Sequence, residues 1–282
     1  MRKLALFLVA SLTAATQLHA QLDFSTVTTG SQGAFGSGTW YQDRYAPGVF
    51  QNTTWQSRND VLQIGIREAD NMAGRGGAFS GAFYSTQGRK FDLGATNSAR
   101  FFMSAELWVD NSWADAANGF RRTDMWGVGG DCVNTNVNSG CITAYPIIGF
   151  TNRSTDDLAF KGFRYYDNGV WVNTSAAVNY GAWNSLAIEL DVGSDLFTFY
   201  VNGTSVGTSA GAGTLFMDAA IMQAYNFSND FSSTIGANNP NGLEYNAYWA
   251  NTSVVPEPST YALMALGLAG LVAIKRRRQR SE

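Results

Sequence analysis

Glu189 and Asp191 are the two side chains whose type and spacing best suit acid–base chemistry. They stand two positions apart in residues 183–192, where apolar and polar residues alternate as is typical of a strand. Residues i and i+2 of a strand share a face and lie about 6.6 Å apart along it. Two carboxylates at such a separation suit the hydrolysis of a glycosidic bond. The alternative is a solvated strand face without catalytic function.

Composition excludes most other catalytic chemistry. The 282-residue chain has one histidine, His19, which falls in a predicted signal peptide, so residues 21–255 contain none. This excludes Ser-His-Asp and Cys-His nucleophiles and histidine-ligated zinc from that segment. The same segment has two lysines, Lys90 and Lys161, and a net charge of −8 from twelve basic and twenty acidic residues. Because an acidic domain has no surface suited to phosphates, we expect no nucleic-acid partner.

The chain has two cysteines, Cys132 and Cys141, in a polar loop. We predict that a disulfide closes this loop, since an exported protein enters an oxidising compartment. Calcium is an alternative, because oxygen ligands are concentrated in this loop and a later one, although their spacing does not fit an EF-hand. These residues are Asp131, Asn134, Asn136, Asn138, Asp156 and Asp157. We favour the disulfide-closed loop and predict no bound metal or other cofactor.

Aromatic side chains are the candidates for ligand binding. Sugar rings present apolar C–H faces that stack on flat side chains beside polar groups. The candidates in predicted loops or at strand edges are Trp113, Trp126, Tyr165, Tyr166 and Trp171. The alternative for each is a place in the core, where we expect Trp108 and Trp183.

The elements that must position these residues are short strands. We predict strands at residues 61–67, 79–86, 99–109, 144–150, 163–166, 170–172, 183–192, 196–201, 204–208, 219–227 and 243–250. Asn168-Gly169 and Asn202-Gly203 favour tight hairpin turns, because both turn positions need a positive φ. Leu186, Ile188, Leu190 and Val192 are expected on one face of their strand. About a dozen strands without a convincing helix predict one all-β, two-sheet sandwich.

The order of these elements resembles the concanavalin A-like or laminin G-like jelly roll. The resemblance rests on Trp-x-x-Leu-x-Ile-x-Leu-Asp at residues 183–191, followed by Phe-Tyr-Val-Asn-Gly at 199–203. It implies a two-sheet antiparallel jelly-roll sandwich that binds glycans or proteins, or in some members hydrolyses glycosides. Residues 189–194 are also similar to the Glu-x-Asp-x-x-Glu strand of laminarinase-like enzymes. Ser194 stands where those enzymes have the proton-donating Glu, so we predict a non-catalytic domain.

Both ends of the chain resemble targeting segments. Residues 1–20 have Arg2-Lys3, an apolar run and Leu18-His19-Ala20, which is typical of a signal peptide cut after Ala20 or within a residue or two of it. The expected partners are the Sec translocon and signal peptidase. At the other end, residues 259–274 are apolar and would span about 24 Å as a transmembrane helix, against ~30 Å of hydrocarbon. A basic cluster follows, which keeps the carboxyl terminus in the cytoplasm. It comprises Lys275, Arg276, Arg277, Arg278 and Arg280.

The sequence between the domain and this apolar run carries a more specific resemblance. Val255, Pro256, Glu257, Pro258 and Ser259, with the apolar run and the arginines, resemble the PEP-CTERM sorting signal of Gram-negative bacteria. The resemblance implies cleavage near Pro-Glu-Pro by an exosortase, and export in species that make exopolysaccharide. An ordinary single-pass anchor is the alternative. The prolines are expected to hold their backbone extended and out of any helix or sheet ladder. Residues 251–255 are expected to form a short stalk before the sorting signal.

These observations divide the chain into a signal peptide (1–20), a jelly-roll ectodomain (21–253) and a sorting signal (254–282, with the motif at 255–259 and the basic tail at 275–280). We predict an inner-membrane-anchored precursor that is processed to a cell-surface or extracellular-matrix protein. It is expected to be non-catalytic, with exopolysaccharide as a candidate ligand. Two alternatives stay open, a carboxylate-dependent glycoside hydrolase and a purely structural matrix or adhesion protein.

Overall fold

The computed structural model is a sandwich of two β-sheets. It describes residues 22, 24–31, 38–70, 79, 82–93, 99–132, 141–153, 159–227 and 244–257. The larger sheet has nine strands: β1 Thr29–Gly30, β2 Trp40–Tyr41, β5 Thr86–Asp92, β7 Arg122–Gly130, β8 Ile142–Ala144, β9 Ile147–Thr151, β10 Gly162–Asp167, β11 Val170–Asn173 and β15 Phe216–Tyr225. The smaller sheet has seven: β3 Val49–Trp55, β4 Arg58–Ile66, β6 Arg100–Val109, β12 Ala182–Asp191, β13 Leu196–Val201, β14 Thr204–Ala210 and β16 Tyr245–Glu257.

The chain passes repeatedly from one sheet to the other, as the predicted jelly roll requires. The strand order is β1-β2-β5-β15-β7-β9-β10-β11 in the larger sheet, with β8 beside β7, and β14-β13-β12-β6-β16-β4-β3 in the smaller one. Apart from the parallel pair β1 and β2, neighbouring strands are antiparallel. Short 3-10 turns at Glu68–Asp70, Ala82–Ser85, Asn111–Ala114 and Ala116–Asn118 connect strands. The fold class predicted from the sequence is therefore confirmed.

The core lies between the sheets and is built by alternating residues. In β6 every second side chain is buried, from Phe101 to Val109. Leu186, Ile188 and Leu190 of β12 are buried on the same side, as predicted. Because a fully buried large apolar side chain contributes about 1.5–3 kcal/mol, these rows account for much of the drive to fold.

The two central strands of the larger sheet do not alternate. From Thr123 to Gly130 every residue of β7 is buried, and β15 is buried up to Ala224. Such strands read as continuous runs and lack the period of two from which a half-buried strand is predicted. For this reason β7 was missed in the sequence and β15 was placed three residues late.

Two sequence-based expectations are wrong. Residues 79–86 were expected to form a strand, but Ala82–Ser85 is a 3-10 turn and the strand starts at Thr86, where Tyr225 of β15 becomes its partner. Trp108 and Trp183, expected in the core, are half-buried on the open face of the smaller sheet, with ring centroids 5.7 Å apart. Trp108 and Trp183 lie outside the core because both occupy outward-facing positions of their alternating strands.

The last strand continues into the segment that was expected to be a stalk. Residues 255–257 of β16 pair with residues 100–102 of β6, so this part of the Pro-Glu-Pro sequence lies in the sheet ladder. The pairing with β4 ends at Trp249, and beyond it the described partner is β6 alone. Proline is tolerated in a strand that is open on one side, since no hydrogen-bond donor is required there. The prediction that the prolines exclude this segment from a ladder is therefore wrong.

Candidate functional site: a groove on the larger sheet

A groove of about 590 Å³ lies on the open face of the larger sheet. Its floor contains one row of residues that are direct cross-strand neighbours on six adjacent strands. In spatial order the row is Lys90, Ile221, Trp126, Ile147, Tyr166 and Trp171. All six line the groove. Since opposite residues of paired strands share a face, the ladder register itself aligns a cation, two aliphatic side chains and three aromatic ones.

A second row runs parallel to the first, two residues away on each strand. It consists of Gly88, Gln223, Asp124, Gly149, Arg164 and Asn173. A Cβ atom on Gly149 would lie 2.3 Å from Oδ1 of Asp124, so glycine is required for the carboxylate to fit. The second row thus carries four polar side chains and two glycines, whereas the first row is mostly apolar.

Hydrogen bonds fix the polar groups of the groove. Nη1 of Arg44 donates to Oε1 of Gln223 (2.5 Å), and Nε2 of Gln223 donates to Oδ2 of Asp124 (2.9 Å). Nε of Arg122 donates to the same carboxylate oxygen (2.8 Å). Asp43 binds the Arg44 guanidinium at 3.0 Å. Because Asp124 and Gln223 are fully buried, this network holds both arginines in place with little freedom to move.

Guanidinium groups lie close to the aromatic rings of the groove. The Cζ of Arg44 is 4.6 Å from the ring centroid of Trp126, and that of Arg122 is 4.7 Å from Trp171. Arg164 stacks more closely on Trp171, at 4.0 Å. Cation–π contacts at these distances stabilise the ring orientation. The aromatic surfaces are thus held before any ligand arrives.

Tyr145 lies at the rim of the groove and is 43% exposed. Its ring packs edge-on against Trp126 with centroids 6.4 Å apart. Burial of its hydroxyl raises the pKa of Tyr145, and Arg44 opposes this effect. The phenol is therefore protonated at neutral pH and available as a hydrogen-bond donor.

The charge of the groove is opposite to that of the domain around it. Three cations, Arg44, Lys90 and Arg122, and one carboxylate, Asp43, line it, and the buried carboxylate of Asp124 pairs with Arg122 beneath them, so the cations are in excess by one. The segment from residue 21 to residue 255 carries a net charge of −8. Most acidic residues of the domain therefore lie elsewhere.

The structure brings together three of the five aromatic residues proposed from the sequence. Trp126, Tyr166 and Trp171 line the groove. Trp113 is 4% exposed and sits in the core, with its ring 5.5 Å from that of Phe150. Tyr165 also points inward and stacks on a core phenylalanine at 4.6 Å. Tyr165 and Tyr166 are adjacent on β10, and adjacent side chains of a strand point to opposite faces, so the sequence could have shown that only one of them faces the groove.

Sequence reasoning missed the cations of the groove and two further tyrosines. These residues are Arg44, Lys90, Arg122, Tyr145 and Tyr225. They come from five separate stretches of the chain, and two of them, Lys90 and Arg122, lie on strands whose position was not predicted. Residues 122–130 show no period-two alternation of apolar and polar residues, so no local pattern pointed to the strand that carries Arg122.

The carboxylates considered for catalysis lie on the other sheet. Glu189 and Asp191 share the open face of β12, and both contact Arg100, at 3.3 and 2.9 Å. The Tyr200 hydroxyl donates to Glu189 at 2.5 Å. The backbone N–H of Ser194 and the Arg100 guanidinium hold the pKa of Asp191 below its usual range. The arrangement is that of an ion-pair cluster on the open face of the smaller sheet.

A disulfide joins Cys132 to Cys141, as predicted, with their Cα atoms 5.3 Å apart. The Asp131 carboxylate lies within 4.8 Å of both sulfur atoms. Because these sulfurs are bonded to each other, neither can serve as a thiolate ligand, and calcium prefers oxygen. The other oxygen ligands considered for calcium, at positions 134, 136, 138, 156 and 157, lie outside the described residues.

Comparison with known proteins identifies the carboxyl-terminal segment. Residues 254–278 match the PEP-CTERM protein-sorting motif. The chain carries a PEP-CTERM sorting motif. This confirms the resemblance seen in the sequence and implies an exported protein that an exosortase processes. The match includes Pro258, Ser259 and most of the basic cluster, which lie outside the described residues, as do residues 1–20 and 259–274. In the part of the chain that is described, no helix has the length and apolar character needed to cross a membrane.

The ectodomain has no comparable match. No curated protein is similar to the chain in sequence. Among solved structures, a sialidase aligns with a TM-score of 0.43 and 12% identity over 84% of this chain, which spans 18% of the sialidase. An endo-β-1,4-glucuronan lyase from Trichoderma reesei aligns with a TM-score of 0.41 and 12% identity, covering 82% of this chain and 94% of the lyase. The lectin UEA-II, solved with galactose, aligns at 0.39 and 12%, covering 75% and 94%. At these scores the alignments do not bear on function, which has to be argued from the groove.

Proposed function

We propose that this protein is an exported, exosortase-processed envelope or matrix protein whose β-sandwich domain binds a glycan in the groove of the larger sheet. One observation carries the binding role. The cross-strand row places Trp126, Tyr166 and Trp171 on one surface, directly beside a row of fixed polar groups. Flat apolar faces next to hydrogen-bonding groups match the alternation of C–H faces and hydroxyls on a sugar.

The size and order of the groove suit this role. Its volume of about 590 Å³ is typical of sites for small ligands. The network from Arg44 through Gln223 and Asp124 to Arg122 positions donors in advance, which reduces the entropy cost of binding. Asp124 is fully buried and accepts two hydrogen bonds, so it is better suited to orienting Arg122 than to exchanging protons with a ligand. We therefore assign binding to the groove, and not catalysis.

The glycoside hydrolase alternative loses support from the site geometry. Glu189 and Asp191 both form ion pairs with the same guanidinium, that of Arg100, whereas a glycosidase needs one protonated and one free carboxyl group on either side of the bond. They also lie on the sheet opposite the groove.

The binding role is tested with protein purified after export from host cells, on an array of glycans that includes the polysaccharide made by the host. Trp126→Ala and Tyr166→Ala should each weaken binding about tenfold or more, equivalent to about 1.4 kcal/mol. Trp183→Ala is the matched control, since it removes a half-buried indole from the other sheet. A protein with no saturable ligand would instead support a purely structural matrix role. Release of reducing sugar that is lost in Glu189→Gln would support the hydrolase.

The sorting role is tested in cells with an active exosortase. We expect the native protein outside the inner membrane without its apolar segment, and the double variant Pro256→Ala, Glu257→Ala to accumulate as a membrane-bound precursor. Because β16 continues to Glu257, the processed domain should be compared by mass with a chain that ends near this residue. Full-length protein with an intact tail at the cell surface would contradict the sorting role and support an ordinary membrane anchor.

A further inference from the structure

We infer that the groove recognises an acidic glycan, one that carries carboxylate groups such as those of uronic acid residues. This inference rests on the proposed function and names the chemical class of its ligand. It starts from a local excess of positive charge, in which Arg44, Lys90 and Arg122 stand against two carboxylates, Asp43 and the buried Asp124, in a domain whose net charge is −8. An acidic domain repels an anionic polymer at long range, so cations concentrated in one groove direct such a polymer to that place alone.

The cations differ in how they are engaged. Arg122 uses its Nε–H for Asp124, which is one of the five N–H donors of a guanidinium. Lys90 contacts the ring of Tyr41, with its Nζ 5.9 Å from the centroid, and forms no ion pair with a carboxylate in the described part of the chain. An ammonium without an acidic partner, half-buried at the end of a binding row, suits a ligand carboxylate.

Lys90 is also one of the few lysines in the domain. Residues 21–255 contain ten arginines but only two lysines, and one of these two begins the cross-strand row of the groove. The other, Lys161, donates to the main-chain oxygen of Ala114 at the surface. The chain therefore supplies its own matched control for a lysine in the groove.

The row gives the bound glycan a direction. Lys90 is at one end and the Tyr166–Trp171 pair, with ring centroids 5.2 Å apart, is at the other. The five strand spacings between these ends measure about 24 Å, at about 4.8 Å per spacing. A segment of several sugars can therefore stack its apolar faces on the aromatic end while a carboxylate reaches Lys90. A neutral glycan would use the aromatic end and leave Lys90 without a partner.

The test compares two probes that differ in one chemical group. A soluble polyuronate and the same polymer after reduction of its carboxyl groups to alcohols are titrated against the exported protein at low and high salt. We expect the polyuronate to bind at least tenfold more tightly at low salt, and the difference to shrink at high salt as charge is screened. Lys90→Gln should remove most of the difference, and Lys161→Gln should leave it unchanged.

Each outcome separates this inference from the proposed function. Equal affinity for the two polymers would overturn the acidic ligand and leave a neutral glycan in the groove. A polyuronate affinity that Lys90→Gln does not change, in a variant with the native melting temperature, would overturn the role of Lys90 and with it this inference. Binding of neither polymer, together with an array on which no glycan binds, would overturn the proposed function itself.

Discussion

Replacement of Tyr245 by phenylalanine removes a single buried hydroxyl that joins the two sheets beneath the groove. Tyr245 lies on β16 of the smaller sheet, and its hydroxyl is 2.7 Å from the main-chain oxygens of both Arg122 and Tyr225 in the larger sheet. The hydroxyl also accepts a hydrogen bond from the N–H of Tyr225 at 3.0 Å. Complete burial raises the pKa of Tyr245, so the proton that it donates is retained over the working pH range.

The expected loss follows from these bonds. One proton serves one carbonyl at a time, and a second accepted bond, from the N–H of Arg122, is long at 3.4 Å, so the substitution removes about one donated and one well-formed accepted hydrogen bond. Each contributes about 0.5–1.5 kcal/mol net, which gives a loss of about 1–3 kcal/mol in the free energy of unfolding. For a domain of this length, each kcal/mol changes the melting temperature by roughly 2–4 °C, so a decrease of about 2–12 °C is expected. The phenyl ring keeps its edge-on contact with Trp113, so the change isolates the hydroxyl.

The assay is thermal unfolding followed by circular dichroism, with Tyr248→Phe as the matched control. Tyr248 lies on the same strand and stacks on Trp55 with centroids 4.0 Å apart, and its hydroxyl makes no hydrogen bond within the described residues. The control should therefore retain the native melting temperature. If Tyr245→Phe melts within 1 °C of the native protein, the hydroxyl does not hold the sheets together and the reasoning is refuted.

Three further predictions concern the groove, the acidic cluster and the loop. Gly149→Ala should lower the free energy of unfolding by about 1–3 kcal/mol through overpacking, because the added Cβ would lie 2.3 Å from the Asp124 carboxylate. The variant should also bind glycan more weakly. A free energy of unfolding in urea equal to that of the native protein would contradict this prediction. The Ser194 N–H and Arg100 keep the pKa of Asp191 below its usual 3.8, so this carboxylate stabilises the fold above that pH and loses its contribution as the pH falls through the folded-state value. In Arg100→Gln the pKa measured by NMR should rise toward 3.8, and an unchanged titration would show that the ion pair is not formed in solution. Mass spectrometry of unreduced protein should find the two cysteines linked, whereas two alkylatable thiols would disprove the disulfide.

Alternating segments were the predictable part of the fold. The strands around residues 163–210 were located almost to the residue, because a period of two and Asn-Gly turns are local properties of the chain. Strand β7 was missed, since it is buried on both faces and its pattern carries no period. The continuation of β16 to Glu257 was missed for a different reason, which is that the local preference of proline was outweighed by pairing with β6.

The candidate site was predictable only in its residue types. Aromatic binding residues were expected, and three of those named line the groove, but the cations were not anticipated. Lys90 and Trp126 are 36 positions apart in the chain and become second neighbours in a row only through Ile221, which lies between them on β15. No local pattern encodes such a relation.

The sequence by itself determined the carboxyl-terminal sorting motif, the all-β class, the exclusion of histidine chemistry from the ectodomain and the acidic charge of that segment. Each depends on composition or on residues that are close along the chain. Only the tertiary structure decided which aromatic residues face a groove, that Glu189 forms an ion pair with Arg100, and that the cations gather on one face of the larger sheet. These properties depend on the register between strands that are distant in sequence, and register is set by the packing of the whole sandwich, since a shift of one residue would turn every side chain of a strand to the opposite face.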